Sequence, residues 1–478
     1  MISCPVASAP QEATALLFHG AAGVGDLRFS YAQLSAQVAR WHGRLAGQRR
    51  VAVLSGNSPM LVAIIHAAAR AGCELALLNT RLTLPELSAQ VAQLSPSLCL
   101  ASPPFAPLLP GARVLDELGA AGTEPVPLPA LEPASRPIDE SAVHALLFTS
   151  GTTGRPRAVQ LTVAALQASA RAVNQALGVR AGSRFVCSLP LFHVGGLGIA
   201  LRCALSGATL ELHEQFEARA VAQALEGATH VSLVATTLAR VLDEGVRLPR
   251  VLALIGGGPI PPALLERARA AGLDAVETYG LTEAASSVTI DGVPVPGTEV
   301  RVVDGEVLVR GPTLMRGYLG EPTLQGFFRT GDLGEFDRRG RLIIHARRSD
   351  LILSGGENIY PAEVETALLS HPRIAEAAVL PAPDPRWGQV GLACVVLHRE
   401  AQAPAQLGEP AQLEEPAQLG APPRLAPPTL QLDELAKFLA PLLARYKIPQ
   451  QLVLLDALPR TALGKVDRPA LRALLGLG

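Results

Sequence analysis

The sequence predicts an α/β protein with additional α+β structure, divided into a large N-terminal domain and a small C-terminal domain. Between residues 51 and 277, apolar strands alternate with short helices, which indicates sheets built from parallel βαβ units. Beyond residue 300 the pattern changes to antiparallel strands around an Asp304-Gly305 hairpin turn, which predicts a small β-barrel-like subdomain. A charged segment at 347–350 then precedes mixed helices and strands, which predict a small α+β domain.

The periodicity of apolar residues gives the individual elements. Strands are predicted at 51–56, 73–78, 143–148, 184–188, 208–212, 231–234, 251–255 and 275–277. Helices are predicted at 29–45, 59–70, 84–94, 162–177, 218–225, 236–242 and 261–271. In the C-terminal domain the pattern predicts helices at 361–369 and 432–443 and a strand at 451–455.

Composition favours small-molecule chemistry. The 478 residues are enough for two or three domains with a large core. A formal net charge of −1 argues against a nucleic-acid or anionic-membrane surface, because both require a concentrated basic face. Aromatic residues make up only 4% of the chain, so no stacking platform for single-stranded nucleic acid is expected.

The sequence also predicts a location. The apolar stretch 61–78 is interrupted by His66, Arg70 and Glu74, which predicts a core helix and strand and no membrane span. Residues 1–17 lack the features of a signal peptide. The six cysteines show neither C-x-x-C pairs nor metal-ligand spacing, as expected for free thiols in a reducing compartment. We therefore expect a cytoplasmic protein, and a homo-oligomer is left open.

The strand at 143–148 opens into a loop suited to polyphosphate. The loop residues are Thr149, Ser150, Gly151, Thr152, Thr153 and Gly154. Glycines let the main chain approach a ligand closely, successive N–H groups bind anions, and the hydroxyls donate hydrogen bonds. Arg155 and Arg157 add positive charge, whereas a Walker A loop would place a lysine and then Ser or Thr after its second glycine. A solvated connection is the alternative.

Two further segments carry candidate ligands. Gly256, Gly257 and Gly258 end a strand, and they would either let a flat ring lie against the backbone or form a tight turn before the next helix. Thr282 and Glu283 set a hydroxyl beside a carboxylate, which together can hold a phosphate oxygen and Mg²⁺. The alternative is that they begin a helix.

Several of these segments resemble the adenylate-forming superfamily, which includes acyl-CoA synthetases, peptide-synthetase adenylation domains and luciferases. The matching segments are TSGTTGRPR at 149–157, YGLTE at 279–283, RTGD at 329–332 and PRTALGKVDR at 459–468. The resemblance covers the chain apart from its first few residues and the segment 400–428. Relatives usually have lysine where this chain has Arg157, and a planar guanidinium is not equivalent to an ammonium group.

The resemblance implies that the protein activates a small-molecule carboxylic acid with ATP and Mg²⁺ and transfers it to coenzyme A. The loop at 149–154 would hold phosphates, and Thr282 would contact the α-phosphate. Glu283 would carry Mg²⁺ and take part in catalysis with Thr282. Lys465, by itself a typical surface lysine, would bridge carboxylate and phosphate as the catalytic lysine. The other implied nucleotide-binding residues are Gly256, Gly257, Gly258, Tyr279, Gly280, Asp332 and Arg347, the last two at the ribose.

The resemblance also implies a division of labour between domains: an adenylation domain at 1–346, a hinge at 347–350 and a mobile C-terminal domain at 351–478. Rotation about Ser349 would withdraw Lys465 and bring Gly355 and Gly356 to the site, where the coenzyme A arm would pass. Within the C-terminal domain, PAQL repeats at positions 404, 410 and 416. This Pro/Ala/Gln/Glu-rich composition predicts a disordered insertion at 400–428, to which we assign no function.

The segment 190–197 resembles the acyl pocket of the acyl-CoA synthetases. His193 is either a gate or a core histidine. Arg202 follows in an apolar segment, where an unpaired buried charge would be costly. It matches the position of a partner for a second substrate carboxylate, and a surface helix position is the alternative.

The segments 77–82, 230–242 and 279–289 resemble the o-succinylbenzoate–CoA ligases of menaquinone biosynthesis, whose substrate has two carboxylates. A general aryl- or medium-chain acyl-CoA ligase is the first alternative. A catalytically silent nucleotide-binding paralogue is the second, although the intact Lys465, Glu283 and Asp332 argue against it.

Overall fold

A computed structural model describes residues 6, 9–20, 26–115, 138–149, 156–245, 247–347, 350–354, 357–398, 430–461 and 465–477. The chain divides into two compact units, Met1–Ile344 and His345–Gly478. The predicted mixed α/β architecture with a large N-terminal and a small C-terminal domain is thereby confirmed. In the described ranges no helix has the length and apolar character needed to cross a membrane. The predicted insertion at 400–428 lies outside the described residues.

The larger unit has eight α-helices of seven or more residues in the described ranges. They are α1 (Tyr31–Leu45), α2 (Pro59–Ala71), α3 (Leu84–Leu94), α4 (Val163–Leu177), α5 (Val194–Ser206), α6 (Ala218–Ala224), α7 (Ala235–Asp243) and α8 (Pro262–Ala270). The hydroxyl of Ser58 accepts from the N–H of Leu61 at the start of α2, which ends at Gly72 with φ +67°. Thr162 and Gly178 bound α4 in the same way.

The strands of the larger unit fall into three sheets. They are β1 (Thr14–His19), β2 (Leu27–Ser30), β3 (Arg50–Leu54), β4 (Glu74–Leu78), β5 (Leu98–Ala101), β6 (Arg113–Val114), β7 (Val143–Thr149), β8 (Arg157–Thr162), β9 (Arg184–Cys187), β10 (Thr209–His213), β11 (His230–Val234), β12 (Leu252–Gly256), β13 (Asp274–Leu281), β14 (Ser286–Ile290), β15 (Val293–Pro294), β16 (Glu299–Val303), β17 (Glu306–Arg310), β18 (Gly317–Tyr318), β19 (Phe328–Phe336) and β20 (Leu342–Arg347), whose last residues lie in the smaller unit.

The largest sheet has nine strands in the described part of the chain, in the order β15-β14-β13-β12-β11-β9-β10-β1-β2. The pairs from β1 through β10, β9 and β11 to β12 are parallel, as the predicted βαβ units require. Strand β13 pairs with β12 in parallel over 274–277 and with β14 in antiparallel fashion over 278–281. The parallel part of the sheet therefore ends where the YGLTE segment begins.

The second sheet has the order β18-β8-β7-β4-β3-β5-β6. Successive residues of β3 face opposite sides of it. Val51 and Val53 join a core cluster that also contains side chains of the nine-stranded sheet and of α1, α2, α4 and α5. Ala52 and Leu54 join a second cluster with α3. The alternation along β3 is the period of two expected for a strand buried on both faces. Helices α6, α7 and α8 pack on the nine-stranded sheet in a third cluster.

The third sheet has the order β16-β17-β19-β20, with β17 antiparallel to β16 and β19. The predicted hairpin is present, and Asp304 and Gly305 both have positive φ, at +51° and +75°. The smaller unit contains β21 (Ile352–Ser354), β22 (Glu357–Ile359), β23 (Ile374–Asp384), β24 (Gly388–Leu397), β25 (Gln451–Leu454), α9 (Pro361–Leu369), α10 (Leu432–Leu439) and α11 (Arg468–Leu474).

Two local expectations were wrong. Residues 27–30 form β2 and not the start of a helix, because Ser30 caps α1 by accepting from the N–H of Gln33. Strand β13 runs on to Leu281, since β14 supplies a new antiparallel partner beyond residue 277. The RTGD segment lies within β19, where Gly331 takes φ +73°.

Asn57, which follows β3, connects the two large sheets. Its amide nitrogen donates to the carbonyl oxygens of Leu189 (3.1 Å) and His213 (3.0 Å), and its oxygen accepts from the N–H of Leu191 (2.9 Å). The side chain is only 5% exposed. Asn57 therefore fixes the segment between β9 and α5, where the candidate acyl pocket begins.

We predict that Asn57→Ala lowers the free energy of unfolding by about 1–3 kcal/mol, because buried backbone groups lose their partners. Asn79→Ala is the matched control, since among the described residues the Asn79 side chain bonds only to the exposed N–H of Arg81. Urea denaturation of both variants checks this. Equally small decreases in the free energy of unfolding of the two variants would contradict the role of Asn57.

Candidate functional site

The predicted phosphate loop connects two antiparallel strands. Thr149 ends β7 and lies opposite Arg157, the first residue of β8. The Thr149 hydroxyl is buried and has no hydrogen-bond partner among the described residues, so it is an available donor at the base of the loop. The loop residues Ser150, Gly151, Thr152, Thr153, Gly154 and Arg155 lie outside the described part of the chain.

The three glycines at the end of β12 have different surroundings. A Cβ on Gly256 would lie 2.6 Å from Cγ2 of Thr278, so this position must stay small for β12 and β13 to pack. Gly257 has φ +90°, which favours glycine. A Cβ on Gly258 would meet open space among the described atoms. The end of β12 is therefore closely packed at Gly256, whereas the backbone at Gly258 is accessible.

Gly280 allows β13 to bring the YGLTE segment close to β14. A Cβ on Gly280 would lie 2.1 Å from the carbonyl oxygen of Ser286. After β13, Thr282 and Glu283 begin a 3₁₀ helix of a single turn, Thr282–Ala284, which strand β14 follows. Both side chains are half-buried, and the Glu283 carbonyl accepts from the N–H of Met315 at 2.8 Å.

The turn that follows Glu283 is strained. Ala285 has φ +52° and Ser286 has φ +119°, conformations that side-chain-bearing residues rarely adopt. Two hydrogen bonds hold it. The hydroxyl of buried Ser169 donates to the Ala285 carbonyl at 2.7 Å, and Nη2 of Arg202 donates to the Ser286 hydroxyl at 2.9 Å. The sequence contains no glycine or proline here that could have signalled this turn.

Tyr279 and Asp332 meet across two sheets. The Tyr279 hydroxyl donates to Oδ2 of Asp332 at 2.6 Å, and Asp332 is only 6% exposed. The Asp332 N–H donates to the hydroxyl of Thr330, which in turn donates to the Val307 carbonyl. These contacts give the carboxylate a fixed position beside the end of β13.

Arg202 is buried, so the surface-helix alternative is wrong. It lies on α5 and is 1% exposed. Its guanidinium donates to Ser286, its Nε has no acceptor, and no carboxylate pairs with it among the described residues. Burial lowers the pKa of Arg202 to about 10, so the group still carries its charge at neutral pH. Gly198 makes room for it, since a Cβ there would lie 3.3 Å from Nη2.

His193 occupies the N-cap position of α5, and its ring centre lies 4.7 Å from that of Phe192. A Cβ on Gly196 would lie 2.3 Å from the Pro190 carbonyl oxygen, so the first turn of α5 packs directly on the segment before His193. The ring is half-buried. Its role as a gate or as a core histidine stays open.

The candidate residues of the smaller unit are only partly described. Lys465 is exposed, and its carbonyl accepts from the N–H of Thr461 at 2.7 Å. Downstream, Arg468 anchors the segment by donating to the carbonyl oxygen of Val379 at 2.6 Å and pairing with Glu365. Arg347 ends β20 and is exposed. The predicted hinge residue Ser349 and the predicted coenzyme A residues Gly355 and Gly356 lie outside the described ranges.

Sequence reasoning missed the residues that hold the candidates in place. Ser169, Ser286, Asn57 and Tyr318 each bond to a candidate residue or to its segment. Their contacts join positions between 35 and 132 residues apart, which come together only after folding. A lone serine or tyrosine carries no signal of such a contact in the sequence.

Two large mixed sheets, a four-stranded sheet and a separate C-terminal unit, together with the TSGTTGRPR and YGLTE segments, define the adenylate-forming class of enzymes. The family model described as AMP-binding enzyme matches residues 5–319. The model described as AMP-binding enzyme C-terminal domain matches residues 363–465. The chain belongs to the AMP-binding enzyme family.

Individual relatives match over nearly the whole chain. The 2-succinylbenzoate–CoA ligase of Bacillus licheniformis is 33% identical, over 93% of this chain and 94% of that protein. The structure of o-succinylbenzoate CoA synthetase from Bacillus subtilis in complex with its acyl-adenylate intermediate is 30% identical, with a TM-score of 0.82 and 98% of each chain covered. The structure of the same enzyme with ATP and magnesium ion has a TM-score of 0.81 at 30% identity, and covers 98% of this chain and 99% of that one.

We predict that Gly280→Ala lowers the free energy of unfolding by about 1–3 kcal/mol, because the new methyl group forces β13 and β14 apart. Gly43→Ala is the control, since a Cβ there meets open space and α1 gains a better helix former. Chemical denaturation measures both. A Gly280→Ala protein as stable as Gly43→Ala would contradict the close approach.

Proposed function

We propose that this protein is an ATP-dependent acid–CoA ligase that converts o-succinylbenzoate to its adenylate and then to o-succinylbenzoyl-CoA. The relatives named for this activity match along nearly the full chain, which supports the reaction class. The observation that carries the choice of acid is the buried guanidinium of Arg202, which has no carboxylate partner among the described residues.

An arginine in this position needs an anion. Removing a charge from water without a partner costs several kcal/mol, and one serine hydroxyl offsets only part of that cost. A substrate carboxylate at Arg202 would complete the pairing. The acid would then need two carboxylates, one for activation and one for Arg202, as o-succinylbenzoate has.

The nucleotide would be bound at the end of β13. Asp332 would accept from ribose hydroxyls, with Tyr279 fixing the carboxylate, and Arg347 would reach the same ribose. The base would lie against the backbone of Gly256, Gly257, Gly258 and Gly280. The phosphates would occupy the loop at 149–154, where the Thr149 hydroxyl has no other acceptor among the described residues.

The residues present fit a magnesium ion. Glu283 is half-buried, and in the described ranges only its Oε1 accepts a hydrogen bond, so Oε2 is left for a hard cation. Magnesium neutralises charge on the phosphates when bound. Thr282 would hold an oxygen of the α-phosphate beside it, so that the incoming carboxylate meets a phosphorus whose charge is already compensated.

The C-terminal domain would supply the last positive charge. Lys465 would bridge the substrate carboxylate and the phosphate oxygens during adenylate formation. We assign residues 1–346 to adenylation, 347–350 to a hinge pivoting at Ser349 and 351–478 to a mobile domain. In its second position, Gly355 and Gly356 would line the path of coenzyme A toward the adenylate.

We predict that Arg202→Gln lowers kcat/KM for o-succinylbenzoate by about 10- to 150-fold, the equivalent of about 1.5–3 kcal/mol for a hydrogen-bonded charge. Activity with benzoate should change far less, since benzoate has no second carboxylate. Arg171→Gln, an exposed arginine on α4, is the matched control. Steady-state kinetics with both acids measure this, and an equal loss for both acids would contradict a carboxylate partner.

We predict that Lys465→Ala slows adenylate formation by about 100-fold or more, because developing charge loses its cation. Thioester formation from synthetic acyl-adenylate and coenzyme A should stay close to the wild-type rate. Single-turnover measurements separate the two half-reactions. Loss of both half-reactions would contradict this role and show that Lys465 is needed for folding or for thioester formation.

A further inference from the structure

Arg157 and Tyr318 form a stacked pair beside Glu283. Strand β18 pairs with β8 so that Tyr318 lies opposite Val159. Arg157 is two residues earlier on β8, so it lies on the same face and diagonal to Tyr318, within reach of a long side chain. Its guanidinium carbon is 3.7 Å from the centre of the Tyr318 ring, and its Nη2 donates to the Tyr318 hydroxyl at 3.0 Å.

The hydroxyl of Tyr318 that accepts from Arg157 also contacts Glu283. It donates to Oε1 of Glu283 at 2.8 Å, while the backbone of Met315, three residues before Tyr318, donates to the Glu283 carbonyl. Tyr318 is only 6% exposed.

We propose that Tyr318 is a positioning residue for the metal-binding carboxylate of Glu283, and that Arg157 holds Tyr318 in place. Rotation of Glu283 is fixed at Oε1, which leaves Oε2 to face the metal. Hydrogen bonds from outer residues orient metal ligands in this way and strengthen metal binding. The proposal rests on the metal-binding role proposed for Glu283.

The pair gives a physical reason for arginine and against lysine at position 157. A planar guanidinium can lie on a ring and donate from its edge at the same time, whereas an ammonium group is a compact point charge. Arg157 would still have an N–H group with which to donate to a phosphate. Its Nε is buried with no acceptor among the described residues, and its contact with Glu321 is long, at 4.0 Å.

The test is direct metal binding to the full-length protein. Mn²⁺ replaces Mg²⁺ as the probe, and electron paramagnetic resonance measures its dissociation constant in the complex with α,β-methylene ATP. We expect Tyr318→Phe, which keeps the ring, to weaken Mn²⁺ binding by about 10- to 100-fold. Arg157→Lys should weaken it by about two- to tenfold, because the stacked contact is lost.

Two control variants distinguish a failure of the positioning role of Tyr318 from a failure of the metal-binding role of Glu283. Arg301→Lys changes another stacked arginine, over Phe327 and outside the site, and should leave Mn²⁺ affinity unchanged. Glu283→Gln should weaken binding at least as much as Tyr318→Phe. Wild-type affinity in Tyr318→Phe beside weak binding in Glu283→Gln would overturn the positioning role alone. Wild-type affinity in Glu283→Gln would overturn the metal role of Glu283 and the inference with it.

Discussion

The candidate site depends on the change of partner at β13. Its first half extends the parallel sheet beside β12, and its second half pairs in antiparallel fashion with β14. Gly280 permits that pairing, because any side chain there would collide with the Ser286 carbonyl. The short stretch 279–286 is thereby held across the end of the parallel sheet. Each of its functional side chains then contacts a different part of the larger unit.

Side chains of residues 279–286 make contacts with three other parts of the larger unit. Tyr279 meets Asp332 of the four-stranded sheet, and Glu283 meets Tyr318 and, through it, the base of the phosphate loop. Ser286 meets Arg202 in the candidate acid pocket. The proposed ribose, metal and acid subsites are therefore attached to one backbone segment. A shift in β13 or in the strained turn would alter all three together.

Charged groups of the site contact neutral partners. In the described part of the chain, Arg202 donates to the Ser286 hydroxyl, Glu283 accepts from the Tyr318 hydroxyl, and Asp332 accepts from the Tyr279 hydroxyl. A neutral partner compensates a buried charge only in part, so these groups would gain from charged or hydrogen-bonding groups of a ligand. This arrangement suits an enzyme that must bring an anionic acid to an anionic nucleotide.

Much of the fold followed from local patterns. The predicted helix 84–94 agrees in its bounds with α3, since Thr83 and Pro85 mark its start and the apolar period its length. Phe29 was misplaced because its apolar side chain was counted in the helical period, although Ser30 and Gln33 form the S-x-x-Q capping box that marks the start of α1. Arg202 was expected from chemistry, but its burial could not be separated from a surface position. The contact of Tyr318 with Glu283 could not be predicted, since it depends on the register of β18 with β8.

The most direct measurement is mass-spectrometric detection of CoA thioester formed by the wild-type protein with ATP, Mg²⁺ and coenzyme A. O-succinylbenzoate, benzoate and octanoate would be offered separately at equal concentration. A dicarboxylate site at Arg202 predicts product from o-succinylbenzoate in large excess over the other two acids. Efficient product from benzoate or octanoate with none from o-succinylbenzoate would contradict it and identify a general acyl-CoA ligase.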